Sequence, residues 1–386
     1  MKDMELQKPV NEAAFDKAVT DAVAEVVQMQ IDAGIDIPGD GEMGRLGFSR
    51  YINQRLEGLE PRAFEPGENL WGFPSPEKKL FPGFYEQHDK TFRFWWMNPE
   101  VPIDDLPNVP GTYERFKVTG PVRYRGQKAI GREIERLKLA LKGHAVADAF
   151  MVATQPATGF RGDKGILEHY PSYEAFMYAM ADACREEYQA IIDAGFILQV
   201  DYPLMVKPSW YALVKPNADQ KELVGAAELG VEALNHALQG LPEEKIRIHY
   251  CSGSGNTPHV LDAPLREIIA PLILKIHAQA YGVEGANPRH EHEWMVWKDI
   301  KFPDGKILIP GVIAHNYNVI EHPELIAWRL ENYASVVGKE NVVAGIDCGF
   351  SQHWDAARAH PEIQVAKLKA LAEGAALASK KLWSRN

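Results

Sequence analysis

Two rhythms of apolar and polar positions run along this chain, and the first to appear is helical. Over residues 11–33, "NEAAFDKAVTDAVAEVVQMQIDA", Phe15, Val19, Ala22, Val23, Val26 and Val27 recur at helical spacing before Gly34. That predicts an amphipathic helix with a glycine stop. "GIDIPGDGE" then reads as a short strand running into a turn. From Pro61 to Pro110 the texture changes to dense prolines and aromatics, among them Trp71, Phe73, Phe81, Phe84, Tyr85, Trp95 and Trp96. So much apolar content contradicts the composition of disorder. We read residues 61–127 as a structured excursion within one barrel domain spanning 1–386. Its aromatics could cover the barrel, roof a pocket or form a homo-oligomer contact.

Strand and helix patterns alternate afterwards. "RFKVTGPV" predicts a strand and 128–142 a helix; "AFMVATQPATG" is the next strand, followed by the long helix in "SYEAFMYAMADACREEYQAIIDAG". "FILQVDYP", a helix near 219–239, "KIRIHYC", a helix near 262–277, and "AYGVEGAN" continue the alternation. "KILIPGVI", a helix over 323–337, "NVVAGIDCGF" and a last helix over about 360–380 complete it. Short apolar strands alternating with helices mean parallel strands buried on both faces. So many units favour a closed α/β barrel, the (β/α)8 TIM type, over an open sheet. Glu42, Asp201, His249, Cys251, Glu284, His315 and Cys348 all fall where strands end, the side of such barrels that carries chemistry.

Composition narrows the partners. A net charge of −11 over 386 residues, with no basic tract, argues against nucleic acid and anionic membrane surfaces. Three cysteines make no disulfide framework, no apolar stretch reaches the ~20 residues of a bilayer span, and the N-terminus is charged. A cytoplasmic protein is the expectation.

"IRIHYCSGSGN" carries the candidate chemistry. His249 and Cys251 stand two apart and share one face at a strand end. Cys348 and Glu284 come from two further strand ends that converge on the same barrel mouth. Four N, S or O ligands suit zinc, though buried cysteines are also ordinary apolar residues. The glycines after Cys251 lack a Lys-Ser/Thr ending or a GxGxxG spacing, so they are no phosphate cradle.

"GIDIPGDGE", "LQVDYP", "HYCSGSGN", "ANPRHEHEW", "IPGVIAHNYNVIEHPELIAWRL" and "VVAGIDCGF" together resemble the catalytic domain of cobalamin-independent methionine synthase. They look closer still to its single-domain relatives, which include epoxyalkane:coenzyme M transferase. The resemblance implies zinc held by His249, Cys251, Glu284 and Cys348, activating a thiol. It implies that Glu42 and Asp201 hold the amino group of an amino-acid thiol and that His315 passes a proton during methyl transfer. His290, Glu291, His292 and Glu293 are rivals to Glu284, which is preferred because it lies on the apolar strand. Asp40 reads as a turn residue.

The expected function is transfer of a methyl or alkyl group to a small thiol, with homocysteine first among the acceptors and a folate or a corrinoid protein as donor. The alternatives are a zinc-dependent C–S lyase, an epoxide:thiol transferase, or an impaired barrel. A sulfonate-bearing thiol would need a cation, for which Arg45 and Arg289 are candidates. The chain departs from the family in two places. It starts with the segment that normally follows a "GS-x-P-R" strand, so a shortened chain or a barrel without its first strand is expected. Tyr202 stands where the synthases carry a second acid.

Overall fold

The computed structural model describes residues 9–48, 51–62, 77–91, 115–156, 165–203, 219–253, 257–351 and 357–384. Helix α1 (Glu12–Asp32) starts where the Asn11 side chain accepts from the Ala14 amide at 3.0 Å, and it buries Val19, Val23 and Val27. The chain then runs beside the first strand of the main sheet. The Phe150 amide donates to the Pro38 carbonyl at 3.1 Å, and Gly39 makes a single parallel bridge to Phe150. Pro38 has no N–H to extend that ladder, so the strand expected in "GIDIPGDGE" shrinks to this one bridge.

The main sheet contains β3 (Phe150–Thr154), β4 (Ile197–Asp201), β5 (Ile246–His249), β6 (Ala280–Val283), β7 (Ile307–Ile313) and β8 (Gly345–Ile346), side by side in sequence order and all parallel. This is the strand arrangement of a TIM-type α/β barrel, with the 35–40 segment beside β3 as a seventh position. The register sets a row at the carboxyl ends: Thr154 is opposite Asp201, Asp201 opposite His249, and His249 opposite Gly282.

The outer layer follows the apolar periodicity. Helices α2 (Gln127–Leu141), α3 (Tyr173–Asp193), α4 (Gln220–Leu238), α5 (Pro323–Val337) and α6 (Pro361–Trp383) lie within a few residues of their expected spans. Phe176, Met180 and Ile191 of α3 and Val231 and Leu234 of α4 share one core with Met151, Leu198, Val200 and Ile248 of the strands. The helix expected over 262–277 is shorter: one π turn over Leu265–Ile269 leads into Ala270–Ile273. Pro264 and Pro271 each remove an amide donor there. A second cluster, Val312, Ile313, Ile326, Leu330 and Leu371, draws in Ile35 and Ile346 and seats α6 against α5.

One strand is not where the alternation puts it. β2 (Arg115–Tyr124), which contains "RFKVTGPV", pairs antiparallel with β1 (Leu56–Arg62) in a separate two-stranded ribbon. Its partner comes from upstream in "LEGLEPR", whose charge hides it from an apolar-pattern search. Among the aromatics of the excursion, Trp71, Phe73, Trp95 and Trp96 lie outside the described residues. Phe81 and Phe84 are exposed and Tyr85 is buried, donating at 2.8 Å to Glu77, which also accepts from the Leu261 amide at 3.1 Å. That carboxylate fastens the 77–91 segment to the loop beyond β5.

Candidate metal centre

β5 ends at His249, Cys251 follows two residues later, and Cys348 lies two residues beyond β8. Their ligand atoms all fall within 4.8 Å of one another, and the two sulfurs are 3.7 Å apart with both cysteines free. Two thiolates on one tetrahedral zinc at ~2.3 Å would stand roughly 3.8 Å apart, so the pair already has the spacing the ion requires. His249 Nε2 is buried and has no nitrogen or oxygen partner among the described residues, and the imidazole's hydrogen-bonding neighbour is the Cys348 side chain. Burial opposes a charged His249, but the neighbouring Cys348, Asp201 and Glu284 outweigh it and raise the imidazole to about 9. The contact with Cys251 holds the Cys348 thiol well below its ordinary value, while Cys251 is pushed up by Cys348 and by burial. This donor set suits zinc.

Glu284 falls outside that three-residue group. Its Oε1 accepts from the Ser252 amide at 2.9 Å and its Oε2 from Asn287 Nδ2 at 2.9 Å, with His290 Nε2 at 3.6 Å. Burial, then Asp347, pushes its carboxyl up to about 8. Asp347 is wholly buried: its Oδ1 accepts from Gly285 and Ala286 at 2.8 and 2.9 Å, and its Oδ2 from Asn287 at 2.9 Å. His290 is buried between Asp262 and Glu293, and His292 is exposed.

His315, just after β7, is 2% exposed, and neither ring nitrogen has a hydrogen-bond partner among the described residues. Burial lowers its pKa, against the pull of Cys348 and Asp347. Its backbone neighbour is pinned: Glu321 Oε1 accepts from the Ala314 amide at 2.8 Å, and Glu321 Oε2 pairs with the fully buried Lys367 at 2.8 Å.

A group of acids lies beside the donor group, Asp201 being opposite His249 on the neighbouring strand. Glu42 has φ +54°, in the left-handed region where a side chain costs strain, and such residues cluster at functional sites. Burial raises its carboxyl to about 8 although Arg45 is 3.3 Å away, and the charges of Asp201 and Asp40 add to the rise. Asp40 and Asp201 are also raised, first by burial. Asp201 Oδ1 accepts from Gln199 Nε2 at 2.8 Å. Tyr202 turns away from this group. It packs against α4, where a Cβ on Gly230 would come within 2.2 Å of its hydroxyl.

Arg45 is committed to Glu42, Glu133 and the Val152 carbonyl, and Arg289 is exposed on the Val260 carbonyl. Sequence reasoning missed Asp347, Gln199 and Arg247. The last two stand two positions before Asp201 and His249, and so share their inward faces.

No family model matches the chain. It is 22% identical over 378 residues to an uncharacterized Bacillus subtilis protein, YxjH, covering 94% of this chain and 89% of that one. It is 23% identical to the methionine synthase of Pyrococcus furiosus, covering 88% and 78%. Among solved structures it is similar to a B12-independent methionine synthase from Shewanella sp. W3-18-1, in complex with selenomethionine, at TM-score 0.67 and 20% identity over 98% and 92% of the chains. The chain is thus similar, over nearly all its length, to the cobalamin-independent methionine synthases, and shares their fold. No helix among the described residues is long and apolar enough to cross a membrane.

Proposed function

We propose that this protein is a zinc-dependent transferase that moves a methyl group onto the sulfur of an amino-acid thiol, with homocysteine the acceptor. One juxtaposition carries the reading. A His-Cys-Cys donor group stands across one strand register from Asp201, which is electrostatically coupled to Glu42. His249, Cys251 and Cys348 would hold the zinc, with Glu284 the carboxylate proposed for a fourth position. Bound zinc would keep the acceptor sulfur as a nucleophilic thiolate at neutral pH. Asp201 and Glu42 crowd negative charge into a desolvated place, and an ammonium group entering between them relieves it. His315, whose ring nitrogens have no hydrogen-bond partner among the described residues, would hold a proton at the mouth. The relatives named methionine synthase and the selenomethionine in the Shewanella complex support this acceptor class. A folate or a corrinoid protein would supply the methyl group.

The test joins metal and thiol. The purified protein should carry one zinc, and Cys251→Ser or Cys348→Ser should lose it. Homocysteine should then bind the zinc-loaded protein more tightly than its des-amino analogue. Equal binding of the two thiols would move the reading to a C–S lyase or an epoxide:thiol transferase. A full zinc complement in the double cysteine variant would end it.

A further inference from the structure

Beneath Asp201 lies a polar chain that the transfer chemistry does not use. Arg247 Nε donates to Gln199 Oε1 at 2.7 Å, and Gln199 Nε2 donates to Asp201 Oδ1 at 2.8 Å. The register makes this a built layer, because Gln199 is directly opposite Arg247 and Asp201 directly opposite His249. The guanidinium is stacked 3.7 Å above the Phe150 ring, and Gly39 lies against that ring too: a Cβ there would lie 2.9 Å from it. One stack therefore runs from the segment that leads into Asp40 and Glu42, through Phe150 and Arg247, to Asp201.

A glutamine amide is two-faced and offers either its oxygen or its nitrogen. Arg247 carries only donors, so it fixes the oxygen on its own side and turns the amide N–H toward Asp201. Without Arg247 the amide is free to rotate and set its oxygen against the carboxylate. Resting on the reading of an amino-acid thiol, we infer that Arg247 and Gln199 are positioning residues that select amine-bearing substrates, by holding one Asp201 oxygen so that the other meets the ammonium group. In this role neither residue would touch the thiol; each acts through Asp201. This makes substrate choice separable from metal binding.

The experiment titrates zinc-loaded wild type, Arg247→Met, Gln199→Leu and Arg247→Lys with homocysteine and with its des-amino analogue, with zinc content measured in each. In wild type homocysteine should be preferred. In Arg247→Met and Gln199→Leu that preference should fall about tenfold, the size typical of losing a supporting hydrogen bond, with zinc retained and the des-amino thiol bound as before. Arg247→Lys, which keeps a donor for Gln199, should recover part of it. If Arg247→Met fails to fold, Gln199→Leu and Arg247→Lys decide. Preference intact in the variants overturns the inference while the acceptor reading stands. No preference in wild type overturns the acceptor reading itself.

Discussion

Asp347 holds the segment that follows Glu284: the Oδ1 of Asp347 takes both the Gly285 and Ala286 amides, and its Oδ2 takes Asn287. Asn287 in turn donates to Glu284 Oε2, so the residue before Cys348 sets a carboxylate just beyond the end of β6. An asparagine would keep one acceptor but point an NH2 group at an amide donor. Asp347→Asn should weaken zinc binding by about 10–100-fold with the secondary structure unchanged. Chelator competition followed by circular dichroism measures both, and undiminished zinc affinity would count against this role.

Glu42 has a left-handed backbone and sits among like charges, and the proposed function makes it a ligand for the ammonium group. Its raised carboxyl pKa means that ionising it costs the native state stability at neutral pH. Glu42→Gln should stabilise the substrate-free protein by roughly 1 kcal/mol, about 2 °C in Tm, while weakening homocysteine. Thermal melts with and without thiol will show whether the two effects oppose. A lower Tm would mark Glu42 as structural.

Lys367 has no exposed side-chain surface, and its only charge partner among the described residues is Glu321. Removing the lysine alone leaves a buried carboxylate uncompensated, so Lys367→Met should cost about 3–5 kcal/mol in urea unfolding. The double variant Lys367→Met/Glu321→Gln keeps an acceptor for the Ala314 amide without the orphan charge and should regain part of that. No recovery would mean the lysine acts through packing.

Glu133 lies between Arg45 and Arg55. Burial alone would raise its carboxyl, but the two guanidiniums outweigh it and hold it below the ordinary range. A depressed folded pKa gives stability that is complete above the unfolded value of ~4.3 and is lost as pH falls through the folded value. The stability gap between wild type and Glu133→Gln should therefore be constant from about pH 5 to 7 and shrink under more acid conditions. A gap that persists unchanged at about pH 3 would contradict the pairing.

Much of this arrangement was readable where local rules act alone. α4 begins with a full capping box between Asp219 and Glu222, α5 and α6 begin with proline, and strands buried on both faces read as apolar runs. The alternation of side chains along β5 put His249 and Cys251 on one face without any structure. What stayed hidden depends on contacts distant in sequence. β1 carries more charge than most strands, and at Gly58, with φ +78°, a Cβ would lie 2.5 Å from the Pro121 carbonyl, a bulge that appears only once the two strands meet. The grip of Asp347 on residues 285–287, and the amide orientation that Arg247 imposes on Gln199, are likewise long-range.

The 3.7 Å between the Cys251 and Cys348 sulfurs also gauges how far the sheet is rolled. Their strands, β5 and β8, stand three places apart in the sheet, which at ~4.8 Å per strand would put them about 14 Å apart on a flat surface. Only curling brings the sulfurs together, so an ion held between them would rivet one half of the sheet to the other. Metal affinity then becomes a strain gauge for the barrel. Substitutions far from the mouth that flatten the strands should release the ion before the protein unfolds.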